Sequence, residues 1–384
     1  MSTNIQKNQI TEGIIWRQLL LFFFPILLGT FFQQLYNTID SVIVGQFVGK
    51  EALAAVGGSS AQIVAFVVGF FTGLSSGASV TIAQFFGAKD SRSANKGLHT
   101  AYAIAAFGGL ILTVSGIILT PFLLEMMNTP ADIVADSAVY LRIYFAGIIF
   151  VLIYNMGSAI LRATGDSKRP LYYLIVCCII NIVLDVLFVI VFHMGVMGVA
   201  VATLIAQAVS AVLVTLKLMR SEGILKLSVK QIRFHGSILK MQLKLGLPTG
   251  FEAILFSITN IAIQSAVNTF GTDTTAAWSA YGKLDAIFWM VSTAFGIAIT
   301  TFVGQNYGAG KMDRVRKSTR VCLLMDFIVS AVLVVFLIAA RFLLFRLFTN
   351  DSHVIEIGCD MLVLITPWYI VYVFIEVIAG ALRG

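Results

Sequence analysis

The apolar run from Leu171 to Phe192 sets the strongest constraint on how this chain can fold. Its length of about 22 residues, at about 1.5 Å of rise per residue, lets a helix cross the hydrocarbon core of a bilayer. Asn181 and Asp185 lie inside the run, one helical turn apart and therefore on one face. Because a carboxylate at the centre of a membrane helix costs roughly 2.5–3.5 kcal/mol, we expect Asp185 to have a function.

The rest of the chain shares this apolar character. Hydrophobic residues make up 58% of the sequence and charged residues only 12%, whereas a soluble globular chain carries about 25% charged residues. We therefore predict an all-α polytopic membrane protein with ten spans. The predicted spans lie near 14–38, 52–82, 97–122, 137–161, 171–192, 196–218, 243–268, 276–304, 319–345 and 357–382. Pro25 and Pro248 fall inside spans 1 and 7, where a membrane helix tolerates a kink.

Positive charge alternates from loop to loop. Lysine and arginine concentrate after the even-numbered spans, in 89–96, 162–169, 217–244 and 311–320. The loops between spans 3 and 4 and between spans 7 and 8 carry mainly acids, namely Glu125, Asp132, Asp136 and Asp273. The positive-inside rule then predicts that both termini are cytoplasmic. The net charge of +7 is explained by these loops, so we expect a plasma-membrane protein, bacterial and in the inner membrane, with no nucleic-acid partner.

Short segments recur in the same order along the chain. At offsets of about 221–223 positions the matches are Pro25 with Pro248, Gln84 and Gly87 with Gln305 and Gly308, and Leu161-Arg162 with Leu382-Arg383. An offset of six helices gives both copies the same orientation, as in two-lobed transporters. We predict a first lobe over 1–219, a basic cytoplasmic linker over 220–241 and a second lobe over 242–384. The symmetry predicts two further spans for the second lobe, which this sequence does not contain.

These segments together resemble the multidrug and toxic compound extrusion (MATE) family. The resemblance rests on the paired Gln-x-x-Gly-Ala segments, LRATGDSKRP after span 4, INIVLD in span 5 and LRG at the end. It implies a two-lobed, inverted-V bundle of twelve helices around a central cavity, of which spans 11 and 12 are missing here. It also implies export of organic cations and other toxic compounds in exchange for H⁺ or Na⁺.

A candidate coupling site lies in the first lobe. Asp185 lies roughly 21 Å from the predicted cytoplasmic start of span 5, and Thr203 roughly 10 Å from the outer start of span 6. The resemblance to the prokaryotic branch implies a cation site made of Tyr36, Asp40, Asn181, Asp185 and Thr203. Two neighbouring carboxylates in a low-dielectric site cannot both stay charged cheaply, so we expect Asp40 and Asp185 to hold a proton or Na⁺.

The second lobe has carboxylates of its own, which are Glu252, Asp285, Asp326 and Glu376. We expect Glu252, Asp285 and Glu376 to attract a cationic substrate into the cavity. Two of them have an alternative role, because Glu376 can pair with Arg383 and Asp285 with Lys283. Asp326 is predicted to be an interfacial charge near the cytoplasmic end of span 9.

The function predicted from the sequence is secondary antiport by alternating access, with hinges at Pro25 and Pro248. The expected partners are cationic drug-like molecules and the bilayer, and the coupling ion is the only cofactor; we expect a monomer. A lipid-linked oligosaccharide flippase of related fold is an alternative, although it would favour a basic cavity. A non-transporting membrane sensor is another. A membrane enzyme is not expected, since the four histidines lie at span ends or in loops, without a catalytic or metal-binding constellation.

Overall fold

The computed structural model describes residues 9–349 and 351–384. Within these ranges ten helices are long and apolar enough to cross a membrane, and no strand occurs. Spans 1 to 10 are Ile15–Phe47, Lys50–Gly87, Ser91–Met126, Val134–Ala163, Lys168–Val191, Gly195–Met219, Gly236–Asn268, Thr272–Gly308, Met312–Arg346 and Ser352–Arg383. The predicted all-α class and the predicted ten spans are confirmed.

Spans 1, 7 and 9 extend furthest beyond the predicted bounds, because polar residues continue the helix. Span 1 runs to Phe47 instead of 38, since the hydroxyls of Thr38 and Ser41 bond to the helix's own carbonyls. Span 7 begins at Gly236 instead of 243. Its first turns are amphipathic, with Gln242 buried, so the connection before it is shorter than the predicted linker 220–241.

Contacts divide the chain into two compact units. One unit is Leu28–Ile254, and the other combines the described residues up to Leu27 with Leu255–Gly384. The divisions therefore fall inside spans 1 and 7, and not at the predicted lobe boundaries. The reason is that the first part of span 1 packs with spans 8, 9 and 10, and the first part of span 7 packs with spans 2 and 3. The assignment of lobes by span number stays a prediction.

In the unit Leu28–Ile254, span 7 begins in close contact with span 2. A Cβ added at Gly73 would lie 2.5 Å from the backbone nitrogen of Gly250, and one added at Gly77 would overlap Gly246. Small residues at both surfaces let the two backbones approach closely. In addition, the Gln242 amide donates a 3.0 Å hydrogen bond to the Gly97 carbonyl of span 3.

In the other unit, the first part of span 1 packs on span 8 through aromatic rings. Phe23 stacks on Phe295 with ring centroids 4.1 Å apart, and Phe22 meets Phe302 edge-on at 6.1 Å. These side chains belong to a buried core that also takes in residues of spans 9 and 10.

The predicted repeat is visible in individual hydrogen bonds. The Ser79 hydroxyl donates to the Ala159 carbonyl at 3.2 Å, and the Thr300 hydroxyl donates to the Gly380 carbonyl at 3.0 Å. Both residues of the second bond lie 221 positions after those of the first. The same contact therefore occurs at the same place in each copy of the repeat.

Candidate cation-binding site

Span 5 presents Asn181 and Asp185 to the interior of its unit. Their exposed fractions are 1% and 0%. The α-helical part of the span ends at Asp185 and is followed by a π-helix over Val186–Val191. Short π-helical turns occur frequently at functional sites, because they change the register of the side chains that follow.

Spans 1 and 6 supply the facing side chains. The Asn181 amide donates to the Thr203 hydroxyl at 3.4 Å, and that hydroxyl donates to Asp40 Oδ2 at 3.4 Å. The carboxyl groups of Asp40 and Asp185 lie close enough to interact electrostatically. Three helices distant in sequence thus bring these four predicted residues into one buried cluster.

Tyr36 joins this cluster through a residue that the sequence reasoning missed. The Gln207 amide donates to the Tyr36 hydroxyl at 3.1 Å, and both side chains are buried. Gln207 lies one turn after Thr203, so four-residue spacing on span 6 is a signal that would have found it. Tyr140 of span 4 also lies close enough to Asp40 and Asp185 to interact electrostatically, and nothing in the sequence indicated that proximity.

The cluster has more hydrogen-bond acceptors than donors. Four buried oxygens have no hydrogen-bond partner: Asp40 Oδ1, Asn181 Oδ1 and both carboxylate oxygens of Asp185. Among the described residues no lysine or arginine forms a salt bridge with either carboxylate. An acceptor-rich, uncompensated pair of carboxylates fits a proton shared between them, or a small hard cation such as Na⁺ that takes oxygen ligands.

Asp285 is held by aromatic side chains and not by Lys283. It accepts a 2.8 Å hydrogen bond from the Trp289 indole and a second hydrogen bond from the Tyr369 hydroxyl. The Tyr369 ring stacks on Phe288 with centroids 4.1 Å apart. Asp285 is therefore a carboxylate set among aromatic rings.

Glu376 forms the ion pair that the sequence offered as its alternative role. Arg383 Nη2 donates to Glu376 Oε1 at 3.2 Å, and the Tyr372 hydroxyl donates to Oε2 at 3.2 Å. Glu252 is an exposed residue of span 7 and belongs to the unit Leu28–Ile254. The predicted substrate acids Glu252, Asp285 and Glu376 thus have three different environments.

Asp326, which was predicted to be an interfacial charge, is buried within the protein. Asp326 is 0% exposed, and span 9 begins at Met312, seven residues before the predicted start. The charged residues up to Arg320 belong to the helix and made its start look later than it is. Asp326 therefore lies roughly 21 Å along span 9.

Comparison with known protein families identifies the family of this chain. The model of the MatE family matches residues 25–187 and 248–384, which is one match in each half of the predicted repeat. The chain belongs to the MatE family. The predicted resemblance is confirmed, and the protein is a MATE efflux transporter with multiple membrane-spanning helices.

Two bacterial multidrug resistance proteins are similar to this chain over most of their length. The probable multidrug resistance protein YoeA of Bacillus subtilis is 30% identical over 96% of this chain and 81% of its own length. The probable multidrug resistance protein NorM of Thermotoga maritima is 27% identical over 99% of this chain and 82% of its own. These relatives are described as multidrug resistance proteins and not as enzymes.

A solved structure confirms the MATE fold. An outward-facing multidrug resistance MATE family transporter of the MOP superfamily superimposes with a TM-score of 0.92 at 22% identity. The superposition covers 100% of this chain and 85% of that protein.

Proposed function

We propose that this MATE transporter is a secondary antiporter that exports amphipathic organic cations in exchange for H⁺ or Na⁺. The observation that carries the proposal is the buried Asp40–Asp185 pair with its unpartnered acceptor oxygens. An ion that enters the cell gains about 2.3 kcal/mol per 100 mV of membrane potential. A site that binds this ion can use the gradient to drive export.

The pair couples ion binding to the packing of three spans. Asp40 belongs to span 1, Asp185 to span 5 and Thr203 to span 6. A bound proton lets the two carboxyl groups hydrogen-bond, and Na⁺ lets them share a ligand. Without either, two negative charges repel each other in a low-dielectric interior. Ion binding therefore draws span 1 toward spans 5 and 6, and ion release frees it.

Alternating access then needs bending points in the helices that move. Pro25 lies two residues before the division of span 1 at Leu27, and Pro248 lies six residues before the division of span 7 at Ile254. A proline inside a helix removes a backbone hydrogen bond and permits a bend. We assign both prolines as hinges.

Asp285 is the best candidate to bind the organic cation among the predicted substrate acids. It combines a carboxylate with the rings of Trp289 and Tyr369, and aromatic faces attract cations. Glu376 is neutralised by Arg383, so its attraction for a cation is weaker. The proposal includes a monomer in a bacterial inner membrane, with both termini cytoplasmic and no catalytic activity.

Asp185→Asn tests the coupling site, because it keeps the shape of the side chain and removes its charge. We expect export of a fluorescent organic cation from proteoliposomes to fall to the level of empty vesicles, with the thermal unfolding temperature retained. Applying a proton gradient and a Na⁺ gradient separately to the unsubstituted protein identifies the coupling ion.

Asp360→Asn is the matched control, since Asp360 is an exposed carboxylate in span 10 and the same substitution there should leave export unchanged. Undiminished export by the Asp185→Asn protein would refute the assignment of the site.

A further inference from the structure

A second buried carboxylate, Asp326, lies in the other unit and has no part in the proposed coupling site. It is fully buried on span 9, within a stripe of buried residues at four-residue spacing, Cys322, Asp326 and Ser330. The Ser330 hydroxyl donates to Asp326 Oδ1 at 3.1 Å. The other oxygen, Oδ2, is buried without a hydrogen-bond partner.

Glu376 of span 10 is the charged neighbour of Asp326. The two carboxyl groups lie close enough to interact electrostatically. Glu376 receives hydrogen bonds from Arg383 and Tyr372, so its charge is stabilised. Gly296 of span 8 leaves the space for this carboxylate, since a Cβ there would overlap Glu376 Oε1.

Span 8 adds a polar group of its own to this region. Ser292 lies one turn before Gly296, and its hydroxyl is buried without a hydrogen-bond partner. Ser292 Oγ on span 8 and Asp326 Oδ2 on span 9 are thus both buried oxygens without a hydrogen-bond partner. An unpartnered buried group of this kind points to a ligand that it binds.

Comparison of the two copies of the repeat shows that the fold does not need an acid here. The residues 221 positions before Asp326 and Glu376 are Ala105 and Asn155. Ala105 is 1% exposed, so the equivalent place in the first copy is just as buried and holds only a methyl group. Packing alone therefore does not explain a carboxylate at position 326.

The charges around Asp326 decide which ligand fits. The charged group that interacts with Asp326 is the Glu376 carboxylate, and the Arg383 guanidinium and the Tyr372 hydroxyl both bind Glu376. Asp326 has a single serine hydroxyl as donor. Cys322 on its own helix and Ser292 on span 8 bring no charge. A buried carboxylate without a cationic partner takes up a proton.

We propose that Asp326 is a proton-binding site of the second lobe, separate from the Asp40–Asp185 pair, with the proton on Oδ2 and Glu376 kept ionised by Arg383. The protein then has an ion-binding carboxylate site in each of its two compact units. The inference goes beyond the proposed coupling site, because it concerns other residues and holds whichever ion that site takes.

Infrared spectroscopy of the protein in lipid tests this directly, since a protonated carboxylic acid has a carbonyl stretching band that a carboxylate lacks. The measurement is made with Asp40→Asn and Asp185→Asn already present, so that the first site contributes no band. We expect a protonated-carboxyl band at neutral pH that disappears in Asp326→Asn. The Asp360→Asn control should retain the band.

A band that is absent from the double variant, or that survives Asp326→Asn, would overturn the proposal. If the asparagine variant fails to fold, Asp326→Ala is measured in its place, because the first copy already accommodates Ala105 at the equivalent position. No transport is measured, so failure of this test is distinct from failure of the proposed antiport, which rests on export by Asp185→Asn.

Discussion

At the scale of single residues, the buried carboxylates differ in the donors that surround them. Asp285 accepts hydrogen bonds from Trp289 and Tyr369, whereas both oxygens of Asp185 lack a partner. Hydrogen bonds to a carboxylate favour its charged form, and burial without donors favours the neutral form. Asp285 therefore has donors that stabilise a negative charge, whereas Asp185 has none and is suited to gain and lose a proton.

The donors of Asp285 can be tested through Tyr369. Tyr369→Phe removes the hydroxyl that binds both Asp285 and Tyr281 and keeps the ring that stacks on Phe288. We expect the free energy of unfolding to fall by about 1–3 kcal/mol, the usual effect of leaving a buried polar group without its partner. Tyr307→Phe is the control, because Tyr307 lies on span 8, as Asp285 does, and is 56% exposed.

The measurement is reversible unfolding in mixed micelles, followed by circular dichroism. Equal losses for the two tyrosine variants would show that the Tyr369 hydroxyl does not support Asp285.

Individual residues also show how much of the site could be predicted from the sequence. Spacing within a helix placed Asn181 and Asp185 on one face, and the family resemblance supplied Tyr36, Asp40 and Thr203 as their neighbours. Tyr140 was missed because the pattern within span 4 carries no information on which helix packs against it. The burial of Asp326 was missed because hydropathy along span 9 does not show which of its sides faces the other helices of its unit.

At the scale of helices, glycine decides where two spans can touch. The sequence predicted that glycine would allow close packing, but not that span 2 meets the first part of span 7. The contact surface consists of glycines four residues apart, Gly73 and Gly77 on span 2 and Gly246 and Gly250 on span 7. Pairing of this kind depends on three-dimensional complementarity, and no periodicity in one helix reveals the identity of its partner.

Gly77→Ala tests this contact with a single methyl group. The added Cβ would overlap the backbone of Gln242 and Gly246, so the helices must separate. We expect a loss of about 1–3 kcal/mol in the free energy of unfolding, as for other overpacked interiors. Gly282→Ala is the control, since nothing lies within 4 Å of a Cβ at that position.

Alanine favours a helix over glycine, so Gly282→Ala should keep or slightly raise stability in the same unfolding assay. A Gly77→Ala protein as stable as the Gly282→Ala protein would show that the two spans are not in close contact.

At the scale of the whole molecule, the segment that joins the two copies of the repeat is docked and not merely a solvated linker. The Asn95 amide of span 3 donates to the carbonyls of Ile224 and Lys226, each at 3.1 Å. His99 Nδ1 donates to the Asn95 carbonyl at 2.8 Å, and its Nε2 accepts from the Ser228 backbone N–H at 3.0 Å. His99 therefore links span 3 to the joining segment through both of its ring nitrogens.

A second histidine ends the joining segment and makes its docking sensitive to acid. His235 Nε2 accepts a hydrogen bond from Arg233 at 3.3 Å, and the His235 backbone N–H donates to the Thr100 hydroxyl at 3.3 Å. Partial burial lowers the pKa of His235, and the positive charges of Arg233 and Lys96 lower it further. The docked segment thus binds fewer protons at this histidine than the released segment does.

Acid should therefore release the segment. The contribution of His235 to docking is complete above its unperturbed pKa of about 6.5 and is lost as the pH falls below that value. A spin label on cysteine placed at Val229, which is 61% exposed, should become more mobile as the pH falls from about 8 to about 5. His235→Gln keeps an amide that can hydrogen-bond but does not titrate, so it should reduce this change. Label mobility that does not vary with pH in the unsubstituted protein would show that His235 does not control docking.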